Sequence, residues 1–110
     1  MKYTFDDEVI SKFCYDIINK KIEIYFEAYY DLNLGESLNQ PCILIIENWV
    51  NAKSKFVGDA KFHELEKHLG IFSMILSLEE KNDDLEIIVN TINNTYLELI
   101  FIKPHILFKK

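Results

Sequence analysis

The chain has 110 residues, 49% of them hydrophobic and 27% charged, which excludes a disordered or collagen-like polypeptide and predicts one globular domain over 1–110. Twelve basic residues stand against 18 acidic ones for a net charge of −6, and every basic residue is Lys. Such a surface repels phosphate backbones and lacks guanidinium forks, so nucleic acid is excluded as a partner and a basic protein is favoured.

Period-2 alternation dominates the chain. Val9, Phe13, Tyr15 and Ile17 alternate with Lys12, Cys14 and Asp16. After a turn at Asn19-Lys20, Ile22, Ile24, Phe26, Ala28 and Tyr30 alternate with Glu23, Tyr25, Glu27 and Tyr29. Residues 9–30 therefore predict a long β-hairpin. Residues 31–41 contain Asn33, Gly35, Asn39 and Pro41 and predict a loop. Residues 42–49 are apolar on both parities up to Glu47, the pattern of a central strand covered on both faces. Asp59 is placed to cap a short helix through Leu69, with Phe62, Leu65 and Leu69 on one face and Gly70 as its left-handed stop.

Strands then resume. Phe72, Met74, Leu76 and Leu78 alternate with Ser73, Ile75, Ser77 and Glu79, and a polar turn follows at 81–84. Leu85, Ile87 and Val89 form the next inward parity, and Asn93-Asn94 suits a tight turn needing positive φ. Leu97, Leu99 and Phe101 follow, Pro104 ends that strand, and 106–108 predicts one more. The fold class is mainly β: an antiparallel sandwich or curved sheet of six to seven strands with one short helix. Ile24, Phe26, Leu44, Ile46, Leu76, Ile87, Leu99 and Phe101 are the expected core.

Chemistry-bearing motifs are sparse. Cys14 and Cys42 have neither CxxC nor zinc-ligand spacing. His63 and His68 are at i, i+5, which on a regular helix sets the rings about 140° apart and prevents a shared metal. Neither a nucleophile elbow nor a phosphate loop occurs, and Gly35, Gly58 and Gly70 are isolated. A noncatalytic protein without metal or cofactor is expected. The opening residues lack the pattern of a secretory signal, and the longest apolar run, 43–46, is too short to cross a membrane. A cytoplasmic location with reduced thiols and no membrane partner follows.

The candidate site is a stripe. Glu23, Tyr25, Glu27 and Tyr29, followed by Asp31, alternate on one strand face. Tyrosine offers a large contact area at low entropic cost, and carboxylates attract Lys and Arg from a partner. Asp83 and Asp84 lie in a second acidic group with Glu79, Glu80 and Glu86 and are candidates for the same surface. The bland alternative is cross-strand packing of Tyr with solvated Glu.

The ordered pattern of Phe5-Asp6-Asp7, Ile10, Phe13, Tyr15-Asp16, Ile22, Ile24, Phe26, Tyr29, Cys42, Leu44 and Ile46 resembles small single-domain bacterial β proteins. Some proteins of that kind are immunity proteins for polymorphic or contact-dependent toxins. The likeness covers most of the chain and implies a binding role inside the producing cell. The expected function is a noncatalytic protein-binding domain that masks a basic toxin domain. The alternative is a small homodimeric structural domain that self-associates through the Tyr stripe.

Overall fold

β-branched and aromatic residues at alternate positions favour extended chain over helix. The computed structural model describes residues 3–110 and is mainly β. Its strands are β1 (Tyr3–Thr4), β2 (Ile10–Asp16), β3 (Lys21–Phe26), β4 (Tyr29–Asp31), β5 (Glu36–Leu38), β6 (Cys42–Glu47), β7 (Asn51–Phe56) and β8 (His63–Glu64), then β9 (Phe72–Lys81), β10 (Asp84–Thr91), β11 (Tyr96–Ile102) and β12 (His105–Lys109). One helix, α1 (Leu65–His68), lies between β8 and β9. All pairing is antiparallel, in a four-stranded sheet β12-β6-β3-β2, a five-stranded sheet β8-β7-β11-β10-β9 and a small sheet β1-β4-β5. No helix among the described residues is long and apolar enough to cross a membrane.

The two larger sheets bury one side each in a common core. Ile22, Ile24, Phe26, Leu44 and Ile46 come from the first, and Leu85, Ile87, Leu97, Leu99 and Phe101 from the second. Burying such side chains supplies about 1.5–3 kcal/mol each relative to leaving them in water. A seam joins the sheets where the Asp7 amide donates to the Ile75 carbonyl at 2.7 Å and Val9 bridges Met74. Phe5 stacks on Phe26 at 4.6 Å, and Phe13 on Phe72 at 4.2 Å, closing the core beside that seam.

Two corners carry the chain from sheet to sheet. Asn48, at φ 56°, starts the first, and Trp49 turns inward against Phe101 at 5.0 Å. Pro104 forms the second: β11 ends at Ile102 and β12 starts at His105, as the missing amide requires. The turn at Asn93-Asn94 is also where it was expected, with Asn94 at φ 61°.

Five expectations need correction, the first being the loop at 31–41, where β4 reaches Asp31 and Glu36–Leu38 pair with it as β5. The helix does not span 59–69; only Leu65–His68 is helical, and Asp59 caps nothing, its amide closing a turn onto the Phe56 carbonyl at 3.0 Å. Gly70 has no left-handed conformation; a β-carbon there would touch the Thr91 side chain at 3.4 Å. Residues 51–56, where the apolar pattern breaks, form a strand whose inward side chains are Ala52 and Ser54. Small residues suffice there because α1 lies close, and the Ser54 hydroxyl donates to the Leu65 carbonyl at 3.0 Å. Leu76 is not a core residue: β9 has a bulge opposite Ile88/Val89 and another opposite Asn90/Thr91. Each extra residue reverses the parity, so Phe72, Ile75 and Leu78 face inward instead. These added elements raise the strand count among the described residues to twelve, against the six or seven expected.

Candidate functional site

In the four-stranded sheet the inward parity is taken by the core, so the other parity forms an outer face. Register places its side chains in three rows across the strands. Cys14, Glu23, Ile45 and Leu107 form the middle row. Asp16, Lys21, Glu47 and His105 form the row beside the β2–β3 turn. Lys12, Tyr25, Ile43 and Lys109 form the row at the opposite end. Tyr25, Ile43, Ile45 and Leu107 therefore form a contiguous apolar and aromatic patch, with Glu23 beside it in the middle row and charged side chains at both ends of the face. Ile45 is only 3% exposed although it stands outside the core cluster, because its neighbours on this face cover it. Tyr25, Ile43 and Leu107 are partly exposed around it.

Local bonds hold these groups in place. The Tyr25 hydroxyl donates to Glu23 Oε2 at 3.1 Å, and Lys12 Nζ lies 5.2 Å from the Tyr25 ring centre. That hydrogen bond to Glu23 is the main reason the Tyr25 phenol is held above its ordinary range. Asp16 accepts from the Asn19 side chain at 2.7 Å and from the Asn19 amide at 3.1 Å. Both bonds hold its carboxyl below the usual range and keep it charged. Glu47 and His105 meet at 3.2 Å.

The predicted stripe divides. Glu23 and Tyr25 share this face. Glu27 lies just past the end of β3, exposed, and lines one surface groove with Tyr25, Pro41 and Ile43. Tyr29 does not belong to it. The strand breaks at Glu27-Ala28 and restarts as β4 in the small sheet, so the parity is lost and Tyr29 is fully buried. Its ring packs edge-on against Tyr3 at 5.3 Å and Phe108 at 5.1 Å. Asp31 is buried too and has a structural role, accepting the amides of Asn33 at 2.8 Å and Leu34 at 3.0 Å to close the β4–β5 turn. Asp83 and Asp84 lie at the β9–β10 turn of the other sheet, where Asp84 accepts the Lys103 amide at 3.2 Å. They line a surface hollow with Lys103 and Pro104, separate from Tyr25.

Sequence reasoning missed Ile43, Ile45 and Leu107. The signal was present in residues 42–46, apolar on both parities, but it was assigned to a strand covered by two layers. β6 has the core on one side only, and its second apolar parity lies on the outer face.

Two other clusters stand apart from this face. A cleft of about 230 Å³ is lined by Tyr15, Lys20, Trp49, Glu64 and Glu66, among others. The Lys20 ammonium is tied to the Trp49 carbonyl at 3.3 Å. Burial, and then the Glu66 charge, push the Tyr15 hydroxyl up to about 12. His63 and His68 were expected to diverge on a helix, but residues 63–64 are strand, and the rings meet edge-on at 5.2 Å. Among the described residues no three His, Cys, Asp or Glu side chains group closely enough to hold a metal ion. No protein-family model, curated protein or solved structure matches the chain.

Proposed function

We propose that the chain is a noncatalytic protein-docking domain, and that its occupant is a basic protein domain of the kind an immunity protein masks in the cytoplasm. The observation that carries the docking half is the outer face of β12-β6-β3-β2. Tyr25, Ile43 and Leu107 are partly exposed there as a contiguous patch, with Glu23 beside it and charged side chains at both ends of the face. That is the anatomy of a protein interface, with an apolar and aromatic middle and a polar rim. The basic half rests on the net charge of −6, which draws a cationic domain from a distance and speeds encounter. The face itself has both signs, so the long-range field supplies attraction and the apolar centre supplies residence time.

Co-expression with the C-terminal domain encoded immediately upstream tests this reading. A basic domain whose toxicity is suppressed by the chain is the expected result. Tyr25→Ala and Ile43→Asp should lose that protection. Tyr96→Ala, on the opposite sheet and 50% exposed, should keep it. An upstream product that is acidic, or one that kills equally with and without the chain, would defeat the proposal.

A further inference from the structure

We infer that the groove beside Tyr25 receives one lysine or arginine side chain of the docked protein, with Glu27 at its charged head; this rests on the reading that the outer face docks protein. The groove follows from where the strand pairing ends. Register pairs Tyr25 with Ile43 and Phe26 with Cys42, and the next residues do not continue it. Pro41 has no amide to donate, and on the other strand the chain leaves the sheet at Glu27-Ala28. Glu27 and Pro41 therefore flank a gap at the strand ends. Lys109 pairs with Ile43, which brings Lys110 to the same gap from β12. The space has a volume of about 270 Å³. That is below the roughly 300 Å³ at which small-molecule sites begin, a size for one side chain rather than a whole ligand.

The lining fits an alkyl cation. Tyr25, Pro41 and Ile43 offer apolar surface for a methylene stem. The Tyr25 ring is already fixed by its hydroxyl bond to Glu23 and by Lys12 over the ring, so little ordering is left to pay at docking. Glu27 is exposed and forms no ion pair among the described residues. Its field reaches the groove: burial first, then the charges of Glu8 and Glu27, push the Cys42 thiol there up to about 11. Lys110 does not neutralise that field. Its ammonium lies over the Tyr3 and Tyr29 rings instead, 5.4 and 5.9 Å from their centres. An apolar side chain in the groove would desolvate Glu27 and return nothing to it. A basic side chain buries its stem and pairs its head, and the net charge of −6 draws such a residue in.

Amide NMR titrations of the chain with n-butylammonium, n-butylguanidinium and uncharged n-butanol are the test. At least one of the two cations should shift the Tyr25, Glu27, Cys42 and Ile43 amides and saturate. Butanol, with the same stem and no charge, should bind roughly three- to fivefold more weakly, the scale of one exposed charge pair. Glu27→Gln should erase the advantage of the cation and leave butanol binding as it was. Its melting curve should match that of the wild type, because the side chain is exposed. Shifts that lie elsewhere, butanol that binds as well as both cations, or a cation advantage that survives Glu27→Gln overturns the inference. A groove that takes no cation, in a chain whose Tyr25→Ala variant loses protection against a basic domain, overturns this inference alone and leaves the docking reading intact. Cation binding as expected, with protection unaffected by Tyr25→Ala, overturns the docking reading and the inference with it.

Discussion

Phe26→Ala is expected to lower the unfolding free energy by about 3–5 kcal/mol, the usual cost of truncating a buried aromatic ring. Phe26 is 1% exposed, stacks on Phe5 at 4.6 Å, and closes the inward row begun by Ile22 and Ile24. Truncation removes apolar burial and leaves a cavity between the sheets that β-strands cannot collapse to fill. Domains of this size have only about 5–15 kcal/mol in total, so the variant loses a large share of its stability. Urea denaturation checks it. A loss below about 1 kcal/mol, the scale of a surface change, would mean that the core is not arranged as described.

The second large effect separates two tyrosines that the alternation pattern places together. Tyr29→Ala should cost about 3–5 kcal/mol, since its ring is buried against Tyr3 and Phe108. Tyr25→Ala should cost about 1 kcal/mol or less, because it removes a partly exposed side chain and one hydrogen bond to Glu23. Parallel denaturant titrations of the two variants decide the point. Equal losses would put Tyr25 in the core and remove the centre of the docking face.

The contrast between these tyrosines also marks how far periodicity reaches. A period of two reports a face only while the strand continues. Inside β3, β10 and β11 it does, and Ile24, Ile87, Leu99 and Phe101 are buried where alternation puts them. At Glu27-Ala28 the chain leaves one sheet for another, and no residue there announces the break. Phase is lost for Tyr29 and Asp31. The bulges in β9 act the same way on Leu76, because a bulge needs no Gly or Pro to form. Segment 51–56 was unreadable for a different reason: its inward side chains are Ala52 and Ser54, and small polar residues do not register as a buried face. The helix at 59–69 was over-read from three apolar residues at helical spacing, of which only Leu65 is buried. Half of the candidate site was legible, since Glu23 and Tyr25 do share a face. The other half, Ile43 with Ile45 and Leu107, became visible only through register, which joins strands distant in sequence.

Binding kinetics between the chain and a basic domain whose toxicity it suppresses, at low and high salt, test the proposed docking face most directly. Tyr25→Ala should leave association nearly unchanged and speed dissociation, weakening the complex by about 1–3 kcal/mol, as loss of a central aromatic contact does. Glu23→Gln with Glu27→Gln should instead slow association and flatten its dependence on salt, because the field of these carboxylates steers encounter before contact. Affinity that is indifferent to Tyr25 and to ionic strength would contradict the account, placing the interface elsewhere on the molecule.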